Sequence, residues 1–232
     1  MMRERYHRQL KQMYSLMAEM GGLCQDAIGV SVRTLSGDEA AARKLEEHVF
    51  AVDGEIDEME REIEDICTKL LLHQQPVARE LRRITAALKM ITDLERIGDQ
   101  AADIAELASF LRTYEDEGKT RLTQMADETI RMVRESVEAF VRLDLELARS
   151  VIAYDDVVDG WFHRIKKDLI DMIAQDSSRG EECLDILMVA KYLERIGDHA
   201  TNLAEWVEYA ITGERSKNGA PYVAEGERTE ES

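Results

Sequence analysis

The segment Leu94-Glu-Arg-Ile-Gly-Asp-Gln-Ala-Ala-Asp-Ile-Ala-Glu106 recurs 99 residues later as Leu193-Glu-Arg-Ile-Gly-Asp-His-Ala-Thr-Asn-Leu-Ala-Glu205. Self-similarity at a fixed offset means that one structural unit has been used twice. The 232-residue chain is thereby confined to two related halves of about 100 residues each, and each half is long enough to bury a core. In both copies the apolar residues fall at helical spacing: Leu94, Ile97, Ala101, Ile104 and Ala108, then Leu193, Ile196, Ala200, Leu203 and Val207. Glu95, Asp99 and Asp103 follow one another every four residues, so they line one side of the helix, and Glu194, Asp198 and Asn202 repeat that line. Like charges four apart destabilise an isolated helix by roughly 0.2–0.5 kcal/mol per pair. Their presence in both halves calls for something that offsets the repulsion, either a multivalent cation or a basic partner.

The rest of the chain agrees with a helical reading. Pro76 and Pro221 are the only prolines, while Ala, Leu, Glu, Arg, Met and Lys abound, so the expected class is all-α. Forty-eight acidic against 30 basic residues give a net charge of −18, which repels nucleic acid and anionic lipid, so neither is an expected partner. Cys24, Cys67 and Cys183 sit within apolar helical patterns without CxxC spacing and read as small buried side chains in a reducing compartment. The charged start of the chain has no signal-peptide core, and no apolar run approaches the roughly 20 residues that span a bilayer. A cytoplasmic location is expected, with membranes reached only indirectly through partners.

Six long helices are predicted. The first runs from about Tyr6 to Leu35 and ends at Ser36-Gly37; Asp38 caps a second through His73; Pro76 sits in the first turn of a third that reaches about Thr113. After the polar join Tyr114–Lys119, a fourth spans about Thr120 to Val141 with Leu143 also inward. Asp144 caps the fifth, Asp176–Gly180 is a turn, and the sixth ends near Ile211. The domains expected are residues 4–115, residues 116–213, and a disordered acidic tail at 214–232.

The middle helices repeat as well: Asp53 and Asp57 correspond to Asp155 and Asp159 at an offset of 102. If middle and last helices pack as antiparallel neighbours, each half gathers two carboxylate lines into one oxygen-rich patch. Such a set without thiols suits magnesium, manganese or iron, and zinc if a histidine joins. His163, four residues beyond Asp159, is an optional ligand, although a lone helical histidine is more often solvated. The ordinary alternative makes all these acids the wet side of a bundle. Duplication weighs against it, because a solvated face drifts while these carboxylates kept position and type. Gly98 and Gly197 each cost a helix roughly 1 kcal/mol relative to alanine, which close helix approach or room for an ion would explain. Arg96 and Arg195 can pair with neighbouring acids. Trp161 and Trp206 read as core or interface aromatics, and Glu106 and Glu205 as an extension of the acidic side or as simply solvated acids.

The paired Glu95-Arg-Ile-Gly-Asp99 and Glu194-Arg-Ile-Gly-Asp198 signatures, Asp198-His-Ala-Thr-Asn202, the two Asp-xxx-Asp motifs and Met20-Gly-Gly22 together resemble the PhoU family of phosphate-uptake regulators over about residues 4–213. The resemblance implies two three-helix bundles related by a pseudo-twofold axis, with multinuclear iron or other metal clusters in some members. Carried over by motif, the candidate ligands are Asp53, Asp57, Glu95, Asp99, Asp103, Asp155, Asp159, Glu194, Asp198 and Asn202. It implies further a non-enzymatic negative regulator of the phosphate-starvation response, a homodimer without organic cofactor. Its partners would be the ATPase subunit of the phosphate-specific ABC transporter and the sensor histidine kinase of the phosphate two-component system. The acidic tail departs from the family. The competing expectations are a metal-free helical adaptor, a paralogous regulator of another transporter, and a ferritin-like di-iron oxidase. The last is disfavoured because Gly98 and Gly197 stand where Glu-xx-His would need histidine.

Overall fold

A computed structural model of the chain describes residues 2–35, 39–74, 76–108, 111, 116–217 and 220–221. Six helices account for most of them: α1 (Met2–Arg33), α2 (Glu39–Gln74), α3 (Ala78–Ala108), α4 (Asp116–Arg142), α5 (Leu145–Gln175) and α6 (Gly180–Thr212). Apolar residues at helical spacing build them, and the breaks fall where backbone donors find caps. Asp144 caps α5 as expected, its side chain accepting from the Leu147 amide at 3.0 Å. Between α5 and α6 the expected turn is a short 3₁₀ turn, Ser177–Arg179, capped by Asp176.

Several boundaries differ from expectation for identifiable reasons. Pro76 lies before α3 rather than in its first turn; Val77 gives its carbonyl to the Leu81 amide and its own amide to Glu80, so the helix starts one step later. Helix α3 is described as far as Ala108 and Leu111 lies outside it; the expected end near Thr113 falls outside the described residues, and α4 takes up part of the expected join. Leu143 does not continue the inward face of α4; it takes a φ of 55° as the chain leaves that helix, and the Asp144 amide reaches back to the Ala139 carbonyl. The expected Asp38 cap lies outside the described residues. So do residues 218–219 and 222–232 of the predicted tail. Residues 214–217 and 220–221 do not fit a disordered tail, because Arg215 is anchored on α6 and Ser216–Lys217 pairs antiparallel with Ala220–Pro221.

Helices α1, α2 and α3 pack on one another, α4, α5 and α6 do the same, and the halves join through α1 on α4 and α3 on α6. The architecture is two tandem three-helix bundles related by a pseudo-twofold axis. Cross-helix contacts fix the directions. Gln12 meets Glu62 and Asp26 meets His48, so α1 and α2 are antiparallel; Thr92 meets Glu60 and Gly98 lies against Asp53, so α2 and α3 are antiparallel; His199 meets Asp93, which joins α3 to α6 near their centres. One apolar core runs through both halves, from Met13, Met17 and Met20 through Leu94 and Ile97 to Phe140, Ile196 and Leu203. All three cysteines are buried in it and unbridged. Close approach between halves depends on Gly21, where an added Cβ would stand 2.9 Å from Val137 Cγ2. Among the described residues no helix is long and apolar enough to cross a membrane.

Candidate functional site

The middle and last helices of each half pack side by side, and this brings the carboxylate lines together. In the first half Asp53 and Asp57 of α2 face Glu95 and Asp99 of α3. Asp53 lies beneath them: its Oδ1 is buried without a hydrogen-bond partner. Loss of water, reinforced by repulsion from Asp99, Asp57 and Asp103, pushes the Asp53 carboxyl up to about 6. Burial and Asp99 likewise raise Glu95. In the second half Asp155 and Asp159 of α5 face Glu194 and Asp198 of α6. Burial, Glu194 and Asp155 push Asp198 up to about 6, while Lys191 pulls the other way. Asp155 is also raised, chiefly by burial.

The two glycines make this approach possible. A Cβ on Gly98 would lie 2.9 Å from Asp53 Oδ1 and 3.1 Å from Ile56 Cδ1, and one on Gly197 would lie 3.2 Å from Val158 Cγ1 and 3.8 Å from Asp155 Oδ1. The same three positions of the repeat therefore meet in both halves: a glycine of the last helix, and an aspartate and a β-branched residue of the middle helix.

Counter-charges differ. Arg96 bridges Glu95 at 3.4 Å and Asp99 at 3.3 Å, and Arg61 holds Asp57 at 3.2 Å. In the second half the Lys191 ammonium donates to Glu194 and lies over the Phe162 ring at 5.5 Å. Among the described residues no three acid, histidine or cysteine side chains converge on an ion position in these rotamers. The donor chemistry nevertheless fits a hard cation. Each set is all oxygen, its deepest acids are costly to keep charged, and Asp53 Oδ1 has nothing else to bind. His163 turns Nδ1 to the Asp159 carbonyl at 2.7 Å, within its own helix.

Asp103 and Asn202 are placed differently from the other eight candidates. Both lie at the α3–α6 seam. Asp103 is still felt by Asp53 but faces the Tyr192 hydroxyl, and burial raises its carboxyl. Asn202 approaches Asp93 Oδ1 at 3.5 Å and accepts from Arg215 at 3.4 Å. Asp93 and His199, 2.8 Å apart, are functional-looking residues that the sequence reading did not single out. Their signal lay in the repeat itself, since positions 93 and 192, and 100 and 199, are polar in both halves off the acid line. Glu205 does not extend the acidic side: it is 4% exposed and paired with Arg215 at 3.0 Å. Trp206 is half-buried beside it, while Glu106 is exposed.

Comparison with known proteins gives a consistent result. The family model of the PhoU domain matches twice, at residues 17–108 and 122–207. The chain is 33% identical over 213 residues to the phosphate-specific transport system accessory protein PhoU homolog of Pseudomonas aeruginosa, covering 90% of this chain and 86% of that protein. It is 34% identical over 217 residues to the protein of the same name from Clostridium acetobutylicum, covering 93% and 98%. The crystal structure of PhoU from Pseudomonas aeruginosa superimposes with a TM-score of 0.82 at 34% identity, over 90% of this chain and 99% of that one. The phosphate transport system regulatory protein PhoU from Streptococcus pneumoniae shares the fold, with a TM-score of 0.80 at 24% identity over 91% and 99%.

Proposed function

The chain belongs to the PhoU family, and from that premise we propose that it is a cytoplasmic, non-enzymatic negative regulator of the phosphate-starvation response. Its relatives are named as accessory proteins of phosphate-specific transport, which supports a regulatory role in phosphate transport. The finer reading is that it couples the ATPase subunit of the phosphate ABC transporter to the sensor histidine kinase, as a homodimer that restrains the kinase when phosphate is plentiful. A rigid pair of bundles with two similar faces suits a coupler, because each face can be held by a different protein at a fixed separation. A net charge of −18 favours basic surfaces on those partners.

The carboxylate sets carry the second half of the proposal. Asp53, Asp57, Glu95 and Asp99 would hold one cation site, and Asp155, Asp159, Glu194 and Asp198 the other. Magnesium, manganese, iron or zinc bound there would neutralise repulsion and supply a charge that can bridge to a partner. The observation that carries this reading is Asp53, a half-buried acid among repelling carboxylates whose Oδ1 is buried and unpaired. A metal-free adaptor is the second reading, favoured by the arginines and lysine that already touch the outer acids.

The test is a phosphate-starvation reporter in cells that lack this protein, grown in excess phosphate. The reporter is expected to turn on, to be silenced by the wild-type chain, and to stay on with the Glu95→Gln/Asp99→Asn variant. A reporter that stays off without the protein contradicts negative regulation. Silencing by the variant would leave the regulator standing and remove the acid line from its mechanism.

A further inference from the structure

Glu205 is a carboxylate on α6 buried to 4% exposure, and a carboxylate at that depth requires a cation beside it. The cation is Arg215, three residues beyond the end of α6. Its Nε and Nη2 both reach Glu205 Oε2, at 3.1 and 3.0 Å, and Nη2 also donates to Asn202 Oδ1 at 3.4 Å. The guanidinium carbon lies 4.0 Å from the centre of the Trp206 ring. Two donors of one guanidinium on a single carboxylate oxygen, a further contact to Asn202 and an indole against the flat face favour a guanidinium over an ammonium, which is not planar.

This cage is not required by the bundle, and the duplication supplies the control. Where the second half has Asn202 and Trp206, the first has Asp103 and Leu107, yet the first half packs the same three-helix unit. The plug itself belongs to no helix. Gly213 turns the chain in the left-handed conformation, at a φ of 90°, and the Glu214 amide is tied to Thr212 Oγ1. Arg215 can therefore leave without unpacking a helix, and its side chain keeps 27% of its surface in solvent, so the cage is reachable from outside.

We propose that Glu205, Asn202 and Trp206 form a guanidinium-binding cage at the α3–α6 seam, closed in cis by Arg215, and that in an assembled complex it takes an arginine presented on the surface of a partner protein. The net charge of −18 on the chain as a whole favours approach of a basic surface. The cage needs neither a metal nor a phosphate signal, so it stands independently of the regulatory reading.

The chain has two tryptophans, and Trp161→Phe leaves Trp206 as the sole tryptophan, which excitation at the red edge selects over the tyrosines. In the full-length Trp161→Phe protein, with and without Arg215→Ala, Trp206 emission is titrated with Nα-acetyl-arginine methylamide and, as control, with Nα-acetyl-lysine methylamide. The expected result is a saturable change with the arginine probe, roughly ten-fold tighter without Arg215 than with it. The lysine probe should bind about five-fold more weakly or worse, and adding Glu205→Gln should abolish the response. Circular dichroism checks that each variant is folded, and Arg215→Lys, which keeps the charge, should fall between the two if the alanine variant does not fold. No saturable response in a folded protein lacking Arg215, or equal binding of the two probes, would overturn the cage and leave an intramolecular ion pair.

Discussion

Thr92 and Lys191 occupy the same position of the repeat, and what surrounds them separates the two halves. Thr92 donates to Glu60 at 3.3 Å, so the first acid set is extended by another carboxylate. At Glu60's counterpart the second half has Phe162, and Lys191 lies over that ring while donating to Glu194. Arg96 bridges two acids of its own line, whereas its counterpart Arg195 acts across the seam on Asp103. The acids at four corresponding positions are unchanged while every cation around them differs in type or place. A lattice of structural ion pairs would need its cations as much as its acids. On the proposed reading, acids kept while counter-charges vary serve as a donor set for something outside the chain.

The largest expected break in this comparison comes from the glycines. Gly98→Ala forces a Cβ against both Asp53 and Ile56, and overpacking of this kind costs about 1–3 kcal/mol, offset by about 1 kcal/mol of helix propensity. Gly197→Ala meets only Val158 closely, so its cost and its propensity gain nearly cancel. Urea unfolding should therefore show Gly98→Ala clearly less stable than wild type and Gly197→Ala close to it. Equal effects would mean that the tighter approach in the first half is not real.

A smaller effect concerns pH. Asp53 and Asp198 are both pushed from 3.8 up to about 6, so the folded protein binds their protons more tightly than the unfolded chain does. Stability of the metal-free protein should fall as pH rises from about 4 to about 6, and the loss is complete above that window. Urea midpoints at pH 5, 6 and 7 check the slope, and Asp53→Asn should flatten it. The smallest effect is that of the exposed counter-charge: Lys191→Thr should change stability by no more than about 0.5 kcal/mol. If the second set binds cations, the same substitution should tighten its hold on manganese measured by calorimetry, and Thr92→Lys should weaken the first.

How far the sequence could be read depended on range. Helices were legible because apolar spacing and local caps such as Asp144 act within one element. That the middle and last helices of each half lie side by side with their acid lines facing followed from the repeat and from short turns. Two kinds of error came from interactions that span elements. Asp103 and Asn202 continue the lines by spacing, but the packing of α3 on α6 turns the one toward Tyr192 and the other toward Asp93 and Arg215. Glu205 looks like another surface acid until Arg215 returns from beyond the helix to bury it. Nothing in the local pattern near residue 215 marks that return.

Metal content tests the central claim most directly. Wild type, Glu95→Gln/Asp99→Asn and Glu194→Gln/Asp198→Asn would be purified without chelator and their bound metals counted by plasma mass spectrometry. The account predicts metal on the wild type, with each double variant losing the share held by its own half and keeping the other. Equal, near-zero metal in all three would contradict it and leave a metal-free adaptor.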